Sequence, residues 1–233
     1  MMLLNYIRHK NLVVENNMDF YTSNGIHVYF KDPVKNNDVD IEECIAKAES
    51  VLANHLLDEV EMVIIGHFEE FDDRSLTAFY DGGTLYLTPE HESQEDAFND
   101  IVHEVAHSLE EPYGALIYQD SKIEKEFLDK RVNLHKILWE LGFKTPEAVF
   151  LETEYNEEFD MFLYEDVGYD RLSIVTQGIF ISPYAATSLR EYFATGFSEY
   201  YVDPSHGYLK TTCPQLYRKI LLLQDKEALD KTY

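Results

Sequence analysis

Hydrophobic and polar positions alternate in the first third of the chain. Residues 25–31 (GIHVYFK) alternate as a half-buried strand does, and residues 61–68 (EMVIIGHF) carry the continuous apolar run of a buried strand. Two shorter strands are predicted around residues 76–80 and 84–88, because the Asp-Gly-Gly sequence between them is a strong turn signal. The pattern predicts a small sheet in this part of the chain.

A helical period begins after the last of these strands. Ser93 is a predicted N-cap, with Asp96 three residues later as its capping-box partner. A broad apolar stripe follows over residues 97–109. We expect this helix to end near Pro112 and Gly114, because the residue before a proline resists helical geometry.

The rest of the chain is predicted to be mainly helical. Besides the helix that starts at Ser93, helical patterns cover residues 40–57, 122–141, 146–151, 157–164, 188–201 and 214–224. Trp139, the only tryptophan, is expected in a packed core. This order predicts an α+β fold in a single domain of 233 residues. Its mixed α/β upper lobe would span residues 1–115 and its helical lower lobe residues 116–233.

Charge restricts the classes of partner. Forty-four acidic residues against 19 basic ones give a net charge of −25. Such a chain repels phosphates, so a nucleic-acid partner is not expected. The acidic surface serves solubility, or alternatively it attracts a basic substrate or partner.

No apolar run is long enough to cross a membrane, and residues 1–8 become polar too early for a signal peptide. Cys44 and Cys213 lie far apart without a CxxC pattern, as reduced thiols do. We therefore expect a cytoplasmic protein that has no membrane partner.

The helix that starts at Ser93 carries an HExxH motif. His103 and His107 are four residues apart, so both imidazoles can reach one metal ion from the same helix face. Glu104 lies beside them, where a general base acts on the water at that metal. The motif predicts a Zn²⁺ site.

A catalytic zinc held by two histidines needs a third protein ligand and an open position. Glu110 and Glu111 follow closely, but their side chains are expected to point along the same helix. Glu191 comes from a separate predicted helix, and a second helix crossing the first is the usual way to complete such a site. Glu191 is therefore a candidate for the third ligand, with Glu110 and Glu199 as alternatives.

These two motifs together resemble a known family. His103–His107 (HEVAH), followed downstream by Glu191–Ala194 (EYFA), resembles the catalytic domain of anthrax lethal factor and the related bacterial Pro-Pro endopeptidases. The resemblance extends loosely over residues 76–201 and is close only at the two motifs. It implies a zincin-like fold.

The resemblance also implies roles for five residues. Zinc would be held by His103, His107 and Glu191, with Glu104 as the general base. Tyr184 stands seven residues before Glu191, where the family has a catalytic tyrosine, and would steady the oxyanion.

Some features of the sequence leave alternatives open. The 84 residues from His107 to Glu191 imply an insertion relative to the family. Tyr192 and Glu199 have the same offset of seven as Tyr184 and Glu191. Ser188-x-x-Glu191 is also a capping box, so Glu191 has a structural alternative. Tyr184 has one as well, namely packing.

The sequence thus predicts a zinc-dependent endopeptidase that acts on a peptide or protein substrate. Residues 84–88 are expected to form the rim of the site, where an extended substrate adds as a further strand. Two alternatives belong to other classes. One is a metal-dependent amidohydrolase with a non-peptide substrate, and the other is a non-enzymatic binding or virion-associated protein that retains the fold.

Overall fold

The computed structural model describes residues 19–74, 76–226 and 229. The chain divides into two units, Met1–Ser108 and Leu109–Tyr233. Residues 1–8, on which the expectation about a signal peptide rests, lie outside the described residues. None of the described helices has both the length and the apolar character needed to cross a bilayer.

The first unit contains a five-stranded mixed sheet of order β1-β2-β3-β5-β4. Its strands are β1 (Asp19–Tyr21), β2 (His27–Phe30), β3 (Met62–Ile65), β4 (Ala78–Asp81) and β5 (Thr84–Leu87). The three central strands β2, β3 and β5 are parallel, whereas β1 and β4 pair antiparallel at the two edges. The predicted small mixed sheet is confirmed.

Strand β5 does not lie at a rim of this sheet. It pairs with β3 on one side and with β4 on the other. The expectation that a substrate adds to residues 84–88 is therefore wrong, because both edges of β5 are filled. The edge strand at this end of the sheet is β4.

Alternation along the central strands creates one fully buried face. Its side chains are Val28, Phe30, Val63, Ile65, Leu85 and Leu87. Among the described residues, three α-helices accompany the sheet, namely α1 (Ile41–Val51), α2 (Glu69–Arg74) and α3 (Gln94–Ser108), together with a 3₁₀ turn at Asn54–Leu56. Helices α1 and α3 pack against each other, and α3 also packs against β4 and β5. The core of this unit thus fixes α3, which carries the HExxH motif.

The start of α3 is as predicted. The Ser93 hydroxyl accepts from the Asp96 N–H (3.1 Å) and donates to its carboxylate (2.7 Å). This pair satisfies an amide that would otherwise lack a partner in the first helical turn.

The predicted end of the helix at Pro112 and Gly114 is wrong. Helix α3 ends at Ser108, and the next helix, α4 (Glu110–Tyr118), includes both residues. Pro112 falls in the first turn of α4, where a backbone N–H has no intrahelical acceptor, so a proline is tolerated there. The break between the helices therefore comes earlier than the proline suggests.

The second unit is mainly helical, as predicted. After α4 it contains α5 (Lys122–Glu140), α6 (Glu157–Met161), α7 (Tyr169–Val175), α8 (Leu189–Val202), α9 (Gly207–Thr212) and α10 (Pro214–Leu223). Two 3₁₀ segments, Glu147–Leu151 and Tyr184–Ala186, and a π-helix, Phe162–Gly168, connect them. Helix α5 lies at the centre of this unit and contacts α4, α8, α10 and the first 3₁₀ segment.

A buried arginine joins the elements around α5. Arg131 is 1% exposed, and its guanidinium donates to the carbonyls of Ala186 (2.6 Å), Thr187 (3.2 Å) and Val149 (2.8 Å). Its central carbon lies 3.9 Å from the centre of the Phe159 ring. The guanidinium therefore holds the chain immediately before α8.

Trp139 does not belong to this core, contrary to expectation. Its side chain is 45% exposed, and the Lys144 ammonium lies 4.3 Å from the centre of its ring. The buried face of α5 is formed by other residues of the same helix, namely Ile123, Phe127, Arg131, Leu134 and Leu138.

Candidate metal centre

The two motif histidines lie on one face of α3. Both are partly exposed, whereas the neighbouring positions Val102, Val105 and Ala106 are buried. The ring centres of His103 and His107 are 5.0 Å apart, and the ring planes are inclined by 74°. One helical turn separates the two residues, so α3 presents two imidazoles side by side.

Glu104, the acidic residue of the motif, is buried. It is 7% exposed, between the partly exposed His103 and the buried Val105. Its role as general base stays a prediction.

Glu191 lies in the first turn of α8. Ser188 is the N-cap, and its hydroxyl oxygen accepts from the Glu191 N–H at 3.1 Å. The residues that follow, 192–198, are all buried. Glu191 itself is partly exposed, so its side chain lies at the margin of this packed helix.

Donor atoms of His103, His107 and Glu191 lie close together. Each residue offers one ligand atom, and these atoms all lie within 4.8 Å of one another. For comparison, two ligand atoms at ~2.1 Å from a tetrahedral zinc ion would be roughly 3.4 Å apart. Among the described His, Cys, Asp and Glu residues, no other group meets this spacing.

The alternative ligand Glu110 takes part in a different network. Its carboxylate accepts hydrogen bonds from the Tyr118 hydroxyl and from Nε of Arg190 (2.6 Å), which also forms an ion pair with it. The hydrogen bond to Glu110 raises the pKa of Arg190 above its usual value, although burial opposes this. Glu110 does not belong to the histidine cluster.

The second alternative, Glu199, is also outside the cluster. It lies two turns after Glu191 on α8, where burial and the nearby Asp203 raise the pKa of its carboxyl group. Tyr192, which precedes it by seven residues, is fully buried and donates its hydroxyl to Glu126 at 2.8 Å. Of these two glutamates, only Glu191 belongs to the group of described residues whose donor atoms lie within 4.8 Å of one another.

Tyr184 opens a 3₁₀ turn shortly before α8. Its carbonyl accepts from both the hydroxyl (2.8 Å) and the N–H (3.0 Å) of Thr187. Tyr184 is 39% exposed. Its contribution to an oxyanion site stays a prediction.

The motifs do not reveal the residues that anchor α3 one turn before the histidines. Nε2 of the buried His91 lies 3.1 Å from an Asp100 carboxylate oxygen. The Thr77 hydroxyl donates to the same oxygen at 2.6 Å. Since Thr77 directly precedes β4, this triad joins the edge strand to α3. Its members are far apart in the sequence, and no known spacing identifies them.

The chain matches none of the family models, curated proteins or solved structures with which it was compared. The resemblance to the lethal factor and Pro-Pro endopeptidase family therefore stays a prediction from the two motifs.

Proposed function

We propose that this protein is a zinc-dependent peptidase in which His103, His107 and Glu191 hold the metal. The observation that carries the proposal is the spacing of their donor atoms, all within 4.8 Å of one another. Two imidazoles and one carboxylate form the ligand set of many catalytic zinc sites, in which the fourth position stays open. All three residues are partly exposed, so a substrate can approach them.

Glu104 is the proposed general base. When bound, zinc supplies a Lewis acid that polarises a carbonyl and acidifies water at the open position. Glu104 accepts the proton of the attacking water and delivers it to the leaving amine, as general acid–base catalysis requires. Its near-complete burial restricts its rotamers, which favours one fixed orientation.

Tyr184 is the proposed donor to the oxyanion. A phenol hydroxyl is neutral at pH 7 and can donate a hydrogen bond to the negative charge that develops on the carbonyl oxygen. The 3₁₀ turn over Tyr184–Ala186 is fixed by Arg131, which donates to the Ala186 carbonyl at 2.6 Å. This contact limits the motion of the backbone that carries the phenol.

The edge strand β4 favours a peptide over other amides. The Thr88 N–H donates to the Thr77 carbonyl at 2.8 Å, which identifies the residues of β4 that bond to β5. Every second residue of β4 from Ala78 onward therefore directs its backbone N–H and C=O groups away from β5, towards the outer edge of the sheet. An extended peptide can pair with such an edge. Because the His91–Asp100–Thr77 triad joins β4 to α3, a peptide at this edge would lie on the element that is anchored to the motif helix.

The first test is a metal analysis of the purified protein. We expect about one zinc ion per chain, and loss of it in His103→Ala and in His107→Ala, because two ligands do not retain the ion. His67→Ala, which changes an exposed histidine, is the matched control and should keep its zinc. Full zinc content in the variant that lacks both motif histidines would refute the site.

The general base is tested by Glu104→Gln. This variant should keep zinc and fold but hydrolyse peptides several orders of magnitude more slowly, because the amide cannot accept the proton. Peptide-library cleavage with and without a chelator provides the assay. Cleavage that persists after chelation contradicts a metal mechanism, and hydrolysis only of non-peptide amides would favour the amidohydrolase alternative.

The third ligand is tested by a pair of substitutions on α8. Glu191→Gln should weaken zinc retention sharply, because a neutral amide is a much poorer ligand than a carboxylate. Ser188→Ala should lower the free energy of unfolding by about 1 kcal/mol while sparing the metal. Glu110→Gln and Glu199→Gln are the matched controls. If a control loses zinc while Glu191→Gln keeps it, the glutamate replaced in that control is the third ligand.

A further inference from the structure

The second unit contains a large cavity that the proposed peptidase function does not use. Its volume is about 720 Å³, within the range of small-molecule sites. The first half of α5 forms one wall, and the junction of α9 and α10 forms another. The turn at Gly178 and Ile179 completes the lining.

Positive charges are concentrated in this cavity. Its charged lining residues are Lys122, Lys125, Lys130, Arg218, Glu126 and Asp129. Four cations against two carboxylates leave a local excess of two positive charges, in a chain whose net charge is −25. An acidic protein that gathers cations around one cavity has there an environment suited to an anion.

Two of the charged residues build the walls. The Glu126 carboxylate accepts from the backbone N–H groups of Gln215 (2.8 Å) and Leu216 (3.2 Å), at the start of α10, and from the Tyr192 hydroxyl. The Lys130 ammonium donates to the carbonyls of Ile179 and Thr212. These contacts tie α5 to the other walls, so the cavity is preformed. They also give Glu126 three hydrogen-bond donors, whose dipoles offset part of its negative charge.

The cations that can turn to a ligand lie on two different helices. Arg218 on α10 donates only to the Gln215 side chain (3.3 Å), and in the described part of the chain no carboxylate pairs with it. Lys125 on α5 pairs with Asp129, at 3.5 Å, and with no other carboxylate among the described residues; both side chains are largely exposed. A guanidinium fork and an ammonium from opposite helices can therefore contact one anion together.

We propose that this cavity binds a small molecule with at least two negative charges, of the phosphate-ester or diphosphate class, between Arg218 and Lys125. A singly charged anion would be held by only one of these two cations, and a single charge contact at an exposed side chain is weak. Two charges at short range allow one contact to each helix. A long polyanion does not fit the proposal, because the acidic surface outside the cavity would repel the rest of it.

Inorganic pyrophosphate is the probe. In calorimetric titrations at low salt we expect one pyrophosphate bound per chain, with affinity falling as NaCl screens the charges. Arg218→Gln should weaken binding about tenfold or more, since charge-assisted hydrogen bonds are lost. Asp129→Asn should strengthen it, because the substitution removes a negative charge and releases Lys125. Lys136→Gln, on the exposed side of α5, is the control and should change the affinity less than about twofold.

Pyrophosphate also binds zinc, so the same titrations are made on the His103→Ala/His107→Ala variant. Unchanged binding there, together with loss in Arg218→Gln, supports the cavity and is independent of the proposed peptidase function. Binding that disappears with the two histidines would place the anion at the metal and overturn the proposal. So would the absence of saturable binding to the wild type, or equal losses in Arg218→Gln and Lys136→Gln.

Discussion

Replacing Arg131 with methionine is expected to destabilise the helical unit by about 2–5 kcal/mol. The guanidinium donates to three backbone carbonyls, of which those of Ala186 and Thr187 belong to buried residues. Methionine keeps most of the hydrophobic contact with Phe159 but donates no hydrogen bond. Each buried acceptor that loses its partner costs about 1–3 kcal/mol. Release of a buried charge offsets part of this cost, because a desolvated cation is itself unfavourable.

Arg131 remains charged under ordinary conditions. Burial lowers the pKa of its guanidinium to about 10, with Glu152 acting in the opposite direction, so the side chain is protonated at pH 7. The expected loss is a large fraction of the roughly 5–15 kcal/mol that stabilises a typical domain. Arg131→Lys should lose less, because it keeps the charge and one donor group.

Urea denaturation measures this loss. Far-UV circular dichroism follows the helices, and fluorescence follows Trp139, the only tryptophan, which lies two turns after Arg131 on α5. Arg171→Met is the control, because this exposed arginine donates to a single carbonyl, that of Val167, at 3.0 Å. It should lose less than about 1 kcal/mol. If Arg131→Met loses as little free energy of unfolding as this control does, the three carbonyls do not depend on the guanidinium.

Further predictions concern packing, charge and reactivity. Gly196→Ala should lower the free energy of unfolding in urea titrations by about 1–3 kcal/mol, because the new Cβ would lie 2.2 Å from a side-chain atom of Leu216. Gly114→Ala should instead raise it by up to about 1 kcal/mol, because a Cβ there would meet no neighbouring atom within 4 Å. Burial raises the pKa of Asp120, but hydrogen bonds from Lys219 and a second lysine outweigh it and hold the value at about 2. The stabilisation from this lowered pKa is fully present above the unfolded-state pKa of about 4 and is lost as the pH falls towards 2. In that pH window, the urea midpoint of Asp120→Asn should therefore decline less steeply than that of the wild type. Equal slopes in the two proteins would contradict this prediction. Burial raises the pKa of both cysteine thiols to about 11, so native protein should react with a thiol reagent at pH 8 far more slowly than urea-unfolded protein. If the acidic surface attracts substrate, basic peptides should be cleaved faster than acidic ones, and added salt should reduce the difference.

Local patterns predicted the elements whose signals are contained within a few turns of chain. The apolar period over residues 122–141 predicts α5, which spans Lys122–Glu140. The Ser93 cap and the stripe after it predict α3, because side chain and amide are only three residues apart. Helix ends were less accurate when they depended on a single proline, since Pro112 occupies a first turn instead of terminating a helix.

Strand neighbours could not be derived in the same way. Strand β4 precedes β5 in the chain, yet β5 inserts between β3 and β4 in the sheet. Both strands are four residues long, and both have buried and partly exposed positions, so alternation does not distinguish an edge strand from an internal one. The position of Trp139 was missed for a related reason, because an apolar residue at the end of an amphipathic helix can lie on either side of the boundary of the core.

The capping and ligand roles of Glu191 concern different atoms of the same residue. Ser188 accepts the Glu191 backbone N–H at 3.1 Å, so this cap does not use the carboxylate. A carboxylate oxygen of Glu191 instead lies within 4.8 Å of the imidazole nitrogens. An acidic side chain in a first helical turn is also favoured by the helix dipole, whichever partner it faces. The spacing of Ser188 and Glu191 is therefore expected whether Glu191 only takes part in the cap or also binds a metal through its carboxylate. What separates the two cases is the distance from the carboxylate to the imidazole nitrogens, and no local pattern contains that distance, because His107 and Glu191 are 84 residues apart in the sequence.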